Sequence, residues 1–183
     1  MIRAFDIFLS SVGLILLSPV LVLLVIIGYF DTGSPLFSQI RVGRSKQPFR
    51  LIKFRSMYLN SPTVATHLVS VSSITPLGRF LRKSKLDELP QLWNVLIGEM
   101  SFVGPRPCLF NQEELIIERD FRGVFSVRPG ITGLAQINKI DMSTPQLLAE
   151  TDAKMIQQIS TWSYLKYIIY TVFGSGFGDR VRL

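Results

Sequence analysis

Leu86-Asp87-Glu88-Leu89-Pro90-Gln91-Leu92-Trp93-Asn94-Val95-Leu96-Ile97-Gly98 sets two adjacent carboxylates at the head of an apolar, periodic segment. Leu89, Leu92, Trp93 and Leu96 recur at helical spacing. That spacing predicts a helix with Asp87 and Glu88 in its first turn, where exposed backbone N–H groups and the helix dipole favour negative charge, whether of a carboxylate or of a bound phosphate. Pro90 fits there, because a proline near a helix start gives up an N–H that had no partner. Simple capping accounts for an Asp-Glu pair too. The surroundings add a second reading: a basic run (Arg79, Arg82, Lys83, Lys85) precedes the pair, and Gly104-Pro105-Arg106-Pro107 follows it. Fixed guanidinium groups near paired carboxylates form an arrangement that holds phosphate oxygens and a divalent metal together.

The whole chain, 183 residues, is enough for one domain with a real core. Hydrophobic residues make up 48% of it and the mean hydropathy is +0.34, high for a chain with this many charges and most simply explained by a membrane element. Its net charge of +7 suits nucleic acid, an anionic lipid surface or a phosphorylated substrate, and composition does not choose among them. The basic residues are spread among motifs with no nucleic-acid module, so no nucleic-acid partner is expected. Cys108, the single cysteine, cannot form an internal disulfide and is compatible with a reducing compartment.

From Ile7 to Phe30 the chain is almost wholly apolar, and its 24 residues would extend roughly 36 Å as one helix against roughly 30 Å of hydrocarbon. The run is too long for the apolar region of a signal peptide. Ser18-Pro19 interrupts it, leaving halves too short to cross alone. Periodicity leaves a spanning helix and a re-entrant hairpin both open. Basic residues on both sides (Arg3 before; Arg41, Arg44, Lys46, Arg50, Lys53 and Arg55 after) lean towards two ends on one face.

Beyond Asp31-Thr32-Gly33-Ser34-Pro35, Leu36 to Val42 and Pro48 to Phe54 read as a small β-hairpin. Asn60 to Ser73 reads as a loop, and His67 within it is a poor candidate for a catalytic base. Thr75-Pro76 reads as an N-cap with proline at the first helical position, opening an amphipathic basic helix suited to an anionic membrane surface. Glu113 to Phe121 reads as a short charged helix. In Arg128-Pro129-Gly130-Ile131-Thr132-Gly133-Leu134-Ala135-Gln136 the glycines serve either a close backbone approach to a phosphate or a tight turn. Ser143-Thr144-Pro145 starts a helix running towards Ile159, and Trp162 to Phe173, with Tyr164, Tyr167 and Tyr170, has a composition suited to the membrane interface.

Phe37-Ser38-Gln39-Ile40-Arg41-Val42-Gly43, Lys53-Phe54-Arg55-Ser56-Met57, Leu86 to Leu92, Gly104-Pro105-Arg106-Pro107 and Arg128 to Gln136 resemble, in order, the motifs of the bacterial monotopic phosphoglycosyl transferases. The resemblance runs from Ser18-Pro19 to Gln136, and the length is similar to the small, catalytic-domain-only form. It implies a mainly α protein with a small β-hairpin (α+β), monotopic in the membrane. Residues 1–30 would be a re-entrant helix broken at Ser18-Pro19, and residues 31–183 one cytoplasm-facing catalytic domain with interfacial helices. The location implied is the bacterial inner membrane, and the partners are membrane lipids, a UDP-sugar donor and a polyprenyl (undecaprenyl) phosphate acceptor; a monomer and a dimer both fit.

The implied reaction moves a sugar phosphate to the lipid and releases UMP, starting polysaccharide or glycoconjugate assembly. Asp87 would be the nucleophile, Glu88 would hold Mg²⁺, and Arg82 and Arg106 would bind phosphate oxygens, with Lys53 and Arg128 as further substrate contacts. The chemistry agrees with the residues, since phosphoryl transfer asks mainly for positioning and charge neutralisation and a carboxylate is a competent acceptor. Two departures from the family pattern, Ser72-Ser73 in place of an acidic residue and Lys139-Ile140-Asp141 in place of Asn-Gly-Arg, bear on the sugar rather than the reaction. The rival readings are a glycosyl transferase that releases UDP and a non-catalytic basic membrane scaffold.

Overall fold

Pro19 has no N–H to offer the carbonyl four residues back, and the N-terminal apolar run forms two helices, α1 (Ile2–Leu16) and α2 (Ser18–Thr32), bent by 62° about Leu17. The carbonyl left without its amide belongs to Ile15, and Ser18 Oγ donates to it at 2.7 Å. Proline breaks the ladder and serine covers the acceptor that the break exposes. Each helix has 15 residues, about 22 Å against roughly 30 Å of hydrocarbon. No single helix among the described residues is long and apolar enough to cross a bilayer. Leu24 and Gly28 are the buried residues of α2, while Phe8, Ile15, Leu16 and Phe30 stand exposed. This computed structural model describes residues 2–61 and 71–172, so His67 and Phe173 lie outside the described residues.

Polar groups fasten the start of α1 to the rest of the molecule. Arg3 donates to the carbonyls of Val95 at 2.5 Å and Leu96 at 2.7 Å, at the C-terminal end of α4 (Gln91–Ile97), where the helix dipole favours a cation. Asp6, buried, accepts from Ser101 Oγ at 3.1 Å, from the Phe102 amide at 3.2 Å and from the Tyr164 hydroxyl.

The hairpin forms as expected, with β1 (Leu36–Val42) antiparallel to β2 (Pro48–Phe54) and Leu36 opposite Phe54. Phe49 and Leu51 pack with Val95 and Met100 under α4. Asn94 stitches α4 to the hairpin edge: its Nδ2 donates to the Arg50 carbonyl at 2.8 Å, and the Ile52 amide donates to its Oδ1 at 3.2 Å.

Thr75 caps α3 (Pro76–Ser84), its hydroxyl accepting from the Gly78 amide at 2.9 Å. Lys85 then turns left-handed at φ 59° and ends the helix. Here the structure corrects one expectation. Asp87 and Glu88 occupy a separate 3-10 turn, Leu86–Glu88, and α4 begins only at Gln91. A proline ring clashes with the carbonyl four residues earlier, and that at Pro90 excludes a continuous α-helix through Leu86. The chain takes i→i+3 bonds instead, the Leu89 amide to the Leu86 carbonyl at 3.2 Å and the Trp93 amide to the Pro90 carbonyl at 3.1 Å.

A second sheet was not anticipated: β3 (Ser101–Val103) pairs parallel with β4 (Gly130–Thr132). Its one glycine allows close backbone packing, since a Cβ on Gly130 would lie 2.0 Å from the Gly104 amide nitrogen. The remaining helices are α5 (Glu113–Phe121), α6 (Leu134–Ile137), α7 (Pro145–Gln158) and α8 (Thr161–Val172), giving a mainly helical α+β fold. On α8, Trp162 and Tyr170 are exposed, but Tyr164 is in the core with Val103 and Met155 rather than at a surface.

Candidate active site

Three separate elements bring charge to the turn that carries Asp87 and Glu88. Strand β2 supplies Lys53, whose Nζ lies 3.6 Å from Glu88 Oε1, and the loop after β3 supplies Arg106, whose Nη2 donates to the same oxygen at 3.1 Å. Asp87 is 4% exposed. Arg82 approaches from α3 and donates through Nε to Ser56 Oγ at 2.8 Å, leaving its buried Nη1 without a partner among the described residues. An unsatisfied buried guanidinium nitrogen is costly in a resting protein and is ready to receive an acceptor oxygen.

The Arg106 loop is held from outside. Pro105 and Pro107 have no N–H with which to build a turn of their own, and three successive carbonyls are taken by donors from elsewhere. Gly130 N donates to Pro105 O at 2.9 Å, Arg119 Nη1 to Arg106 O at 2.8 Å, and Arg41 Nη1 to Pro107 O at 3.1 Å. Arg119 is itself fixed in the core by Asp152, with Nη2 and Nε at 2.7 and 3.0 Å from Oδ2. Burial pushes the Asp152 carboxyl upwards from its ordinary value, and the Arg119 charge opposes the shift. Cys108, next in the chain, is fully buried and its thiol is likewise raised by desolvation, which removes it from nucleophilic chemistry.

A small cleft opens between Arg41, Lys53, Gln91, Arg106 and Pro107 beside this turn. Cations there outnumber the carboxylates, so the cleft keeps a positive excess suited to an anion. Arg128 is placed elsewhere. Its Nε donates to the Gly98 carbonyl at 2.7 Å, at the far end of α4 from Asp87, and seven helical residues, about 10 Å, lie between. Ser18 and Pro19 shape the helix junction and lie outside the cleft's lining.

A model of the family described as bacterial sugar transferase matches residues 1–177. The chain belongs to the bacterial sugar transferase family. It is similar to the UDP-glucose:undecaprenyl-phosphate glucose-1-phosphate transferases of Klebsiella pneumoniae (40% identical over 181 residues, covering 93% of this chain and 39% of that protein) and Escherichia coli K12 (38% over 188 residues, 97% and 40%). It is also similar to the exopolysaccharide production protein ExoY of Rhizobium meliloti (34% over 191 residues, 93% and 83%). The chain thus spans about two-fifths of the length of the first two relatives and most of the third.

Asp87 and Glu88 are the two carboxylates that this turn carries. Among the described residues no group of three or more His, Cys, Asp or Glu could hold a metal ion. Mg²⁺ does not ask for one, because it is commonly held by one or two carboxylates and completes its shell with water and substrate phosphates. Arg41, Arg119 and Asp152 went unnoticed as site residues in the sequence. Arg41 could have been found from the strand period, which puts it on the same face of the hairpin as Lys53; for the buried pair there is no local signal, since Arg119 and Asp152 meet across 33 positions.

Proposed function

We propose that this chain transfers a sugar phosphate from a UDP-sugar to polyprenyl phosphate and releases UMP, with Asp87 as nucleophile. The observation that carries the reading is the turn itself: a buried aspartate beside a glutamate gripped by Lys53 and Arg106, with an unpartnered guanidinium nitrogen of Arg82 held by Ser56. The printed names of the two glucose-1-phosphate transferases support the donor and acceptor classes.

In the first step a carboxylate oxygen of Asp87 attacks the phosphorus next to the sugar. The bond from that phosphorus to the oxygen bridging to the nucleotide's phosphate breaks, and UMP leaves with the bridging oxygen and its electron pair. In the second step an oxygen of polyprenyl phosphate attacks the same phosphorus, the aspartyl–phosphorus bond breaks, and Asp87 returns as a carboxylate. Arg106 and Lys53 neutralise the phosphoryl oxygens, and Arg82 offers its Nη1 to one of them. Glu88 would hold Mg²⁺, which supplies charge neutralisation at the diphosphate.

The membrane reading rests on the exposed large apolar side chains of α1 and α2, among them Phe8, Ile15, Leu16, Leu23, Ile26 and Phe30, and on a bend that leaves each half too short to span. Residues 1–30 form the re-entrant insertion at the bacterial inner membrane, and residues 31–183 the catalytic domain facing the cytoplasm. The test is the nucleotide released when protein in nanodiscs, with Mg²⁺ and undecaprenyl phosphate, meets a panel of UDP-sugars. UMP supports the reading. UDP would overturn it in favour of glycosyl transfer.

A further inference from the structure

We propose that a second cavity, on the opposite face of β3–β4 from the Asp87–Glu88 cleft, binds a phosphate group on an apolar carrier: the head of an anionic membrane phospholipid. The cavity measures about 280 Å³. Side chains alternate across a strand pair: Ser101 and Val103 line this cavity, whereas Ile131, between their partners Gly130 and Thr132, lines the cleft on the other side. The sheet backbone separates the two spaces.

Three guanidinium groups, those of Arg3, Arg44 and Arg128, border the cavity. Arg3 and Arg128 are held in place by the carbonyls at the end of α4 that they cap. That leaves both terminal nitrogens of Arg128, and the whole Arg44 guanidinium, without a partner among the described residues. The one acid in the wall, Asp6, already accepts from Ser101, Phe102 and Tyr164. The cavity therefore keeps a positive excess in a fork geometry suited to phosphate oxygens. Met155, Ile156 and Ile159 make its remaining wall apolar, which suits the glyceryl and upper acyl part of a lipid.

The lipid source follows from Arg3, which sits in the first turn of α1, and so the inference rests on the membrane reading of that helix. A cavity at the outer end of an inserted helix lies at the depth of leaflet phosphates. Free phosphate shares the headgroup's chemistry, so the experiment must separate the two.

The full chain is reconstituted in nanodiscs of phosphatidylcholine with or without phosphatidylglycerol, released into mild detergent, and examined by native mass spectrometry for retained lipid. The wild type is expected to retain phosphatidylglycerol. Arg44→Glu is expected to lose it by roughly tenfold or more, the scale of one charge-assisted hydrogen bond reversed in sign. Arg50→Glu, an identical charge change on an exposed hairpin position outside the cavity lining, is expected to retain it. Equal retention in the two variants, or none in the wild type, would overturn the proposal. Melting-point protection by inorganic phosphate that needs Arg44, with no lipid retained, would overturn the lipid assignment in favour of a soluble phosphate. Flotation of all three proteins with bilayers is measured alongside: failure of the wild type to float contradicts the membrane reading, whereas flotation without retained lipid contradicts only this site.

Discussion

Asp152→Ala would leave the Arg119 guanidinium, 1% exposed, as an uncompensated charge in the core. Breaking a buried pair from one side costs about 3–5 kcal/mol, and a domain of this size loses about 2–4 °C of melting temperature per kcal/mol. The expected fall is therefore on the order of 10 °C in thermal unfolding of the detergent-held protein. The pair also has a catalytic consequence, because Arg119 Nη1 holds the Arg106 carbonyl at 2.8 Å while the Arg106 guanidinium meets Glu88 at 3.1 Å. Replacing both partners, Arg119→Met with Asp152→Leu, removes the buried charges together and should restore most of the stability. It does not restore the donor to the Arg106 carbonyl. The double variant is expected to unfold near the wild-type temperature yet release UMP roughly tenfold more slowly, the scale of about 1.4 kcal/mol of lost positioning. The loss should appear in kcat more than in KM. A double variant with wild-type turnover would refute the positioning role, and a single variant that melts within a degree or two of wild type would refute the argument from burial.

Three further outcomes follow from the geometry. Pro19→Ala returns an amide to the Ile15 carbonyl and should straighten the 62° bend, moving the two ends of residues 1–30 to opposite sides of the bilayer; an N-terminal tag that stays on its original side by protease protection would contradict this. Burial, and then the hydrogen bond to Asp6, push the Tyr164 hydroxyl well above the ordinary tyrosine range. A raised folded value means a stabilising contribution fully present below about pH 10, where unfolded tyrosine ionises, and lost as pH rises further. Melting temperatures should therefore fall above about pH 10, and less so in Tyr164→Phe, whose curve running parallel to wild type would count against this assignment. Gly130→Ala would put a Cβ 2.0 Å from the Gly104 amide nitrogen, a backbone atom, and is expected to abolish folded protein by size-exclusion chromatography; a well-folded variant would show that β3 and β4 can part.

What the sequence made legible were features with a local cause. Turn residues between two short extended runs marked Leu36–Val42 and Pro48–Phe54, Thr75-Pro76 marked a capped helix start, and Ser18-Pro19 marked the bend. The turn at Asp87 was misplaced because Pro90 was read as a first-turn proline of one helix, whereas its ring excludes an α-helix running back through Leu86. The β3–β4 pair escaped notice because three residues are too few to display a period. Arg119, Asp152 and Asp6 look like ordinary surface charges in one dimension, and only tertiary contact makes them buried supports. Arg128, expected from its motif to contact substrate, has its Nε on the Gly98 carbonyl at the end of α4, a placement that only the tertiary structure gives.

The central claim is that Asp87 takes the sugar phosphate covalently. Intact-mass measurement of the protein quenched after exposure to its UDP-sugar and Mg²⁺, with no polyprenyl phosphate present, tests it most directly. An adduct of one sugar phosphate is expected on the wild type, mapped to the peptide carrying Asp87, discharged when acceptor is added, and absent in Asp87→Asn. UMP formation with no adduct at any quench time, or an adduct that persists in Asp87→Asn, would contradict it.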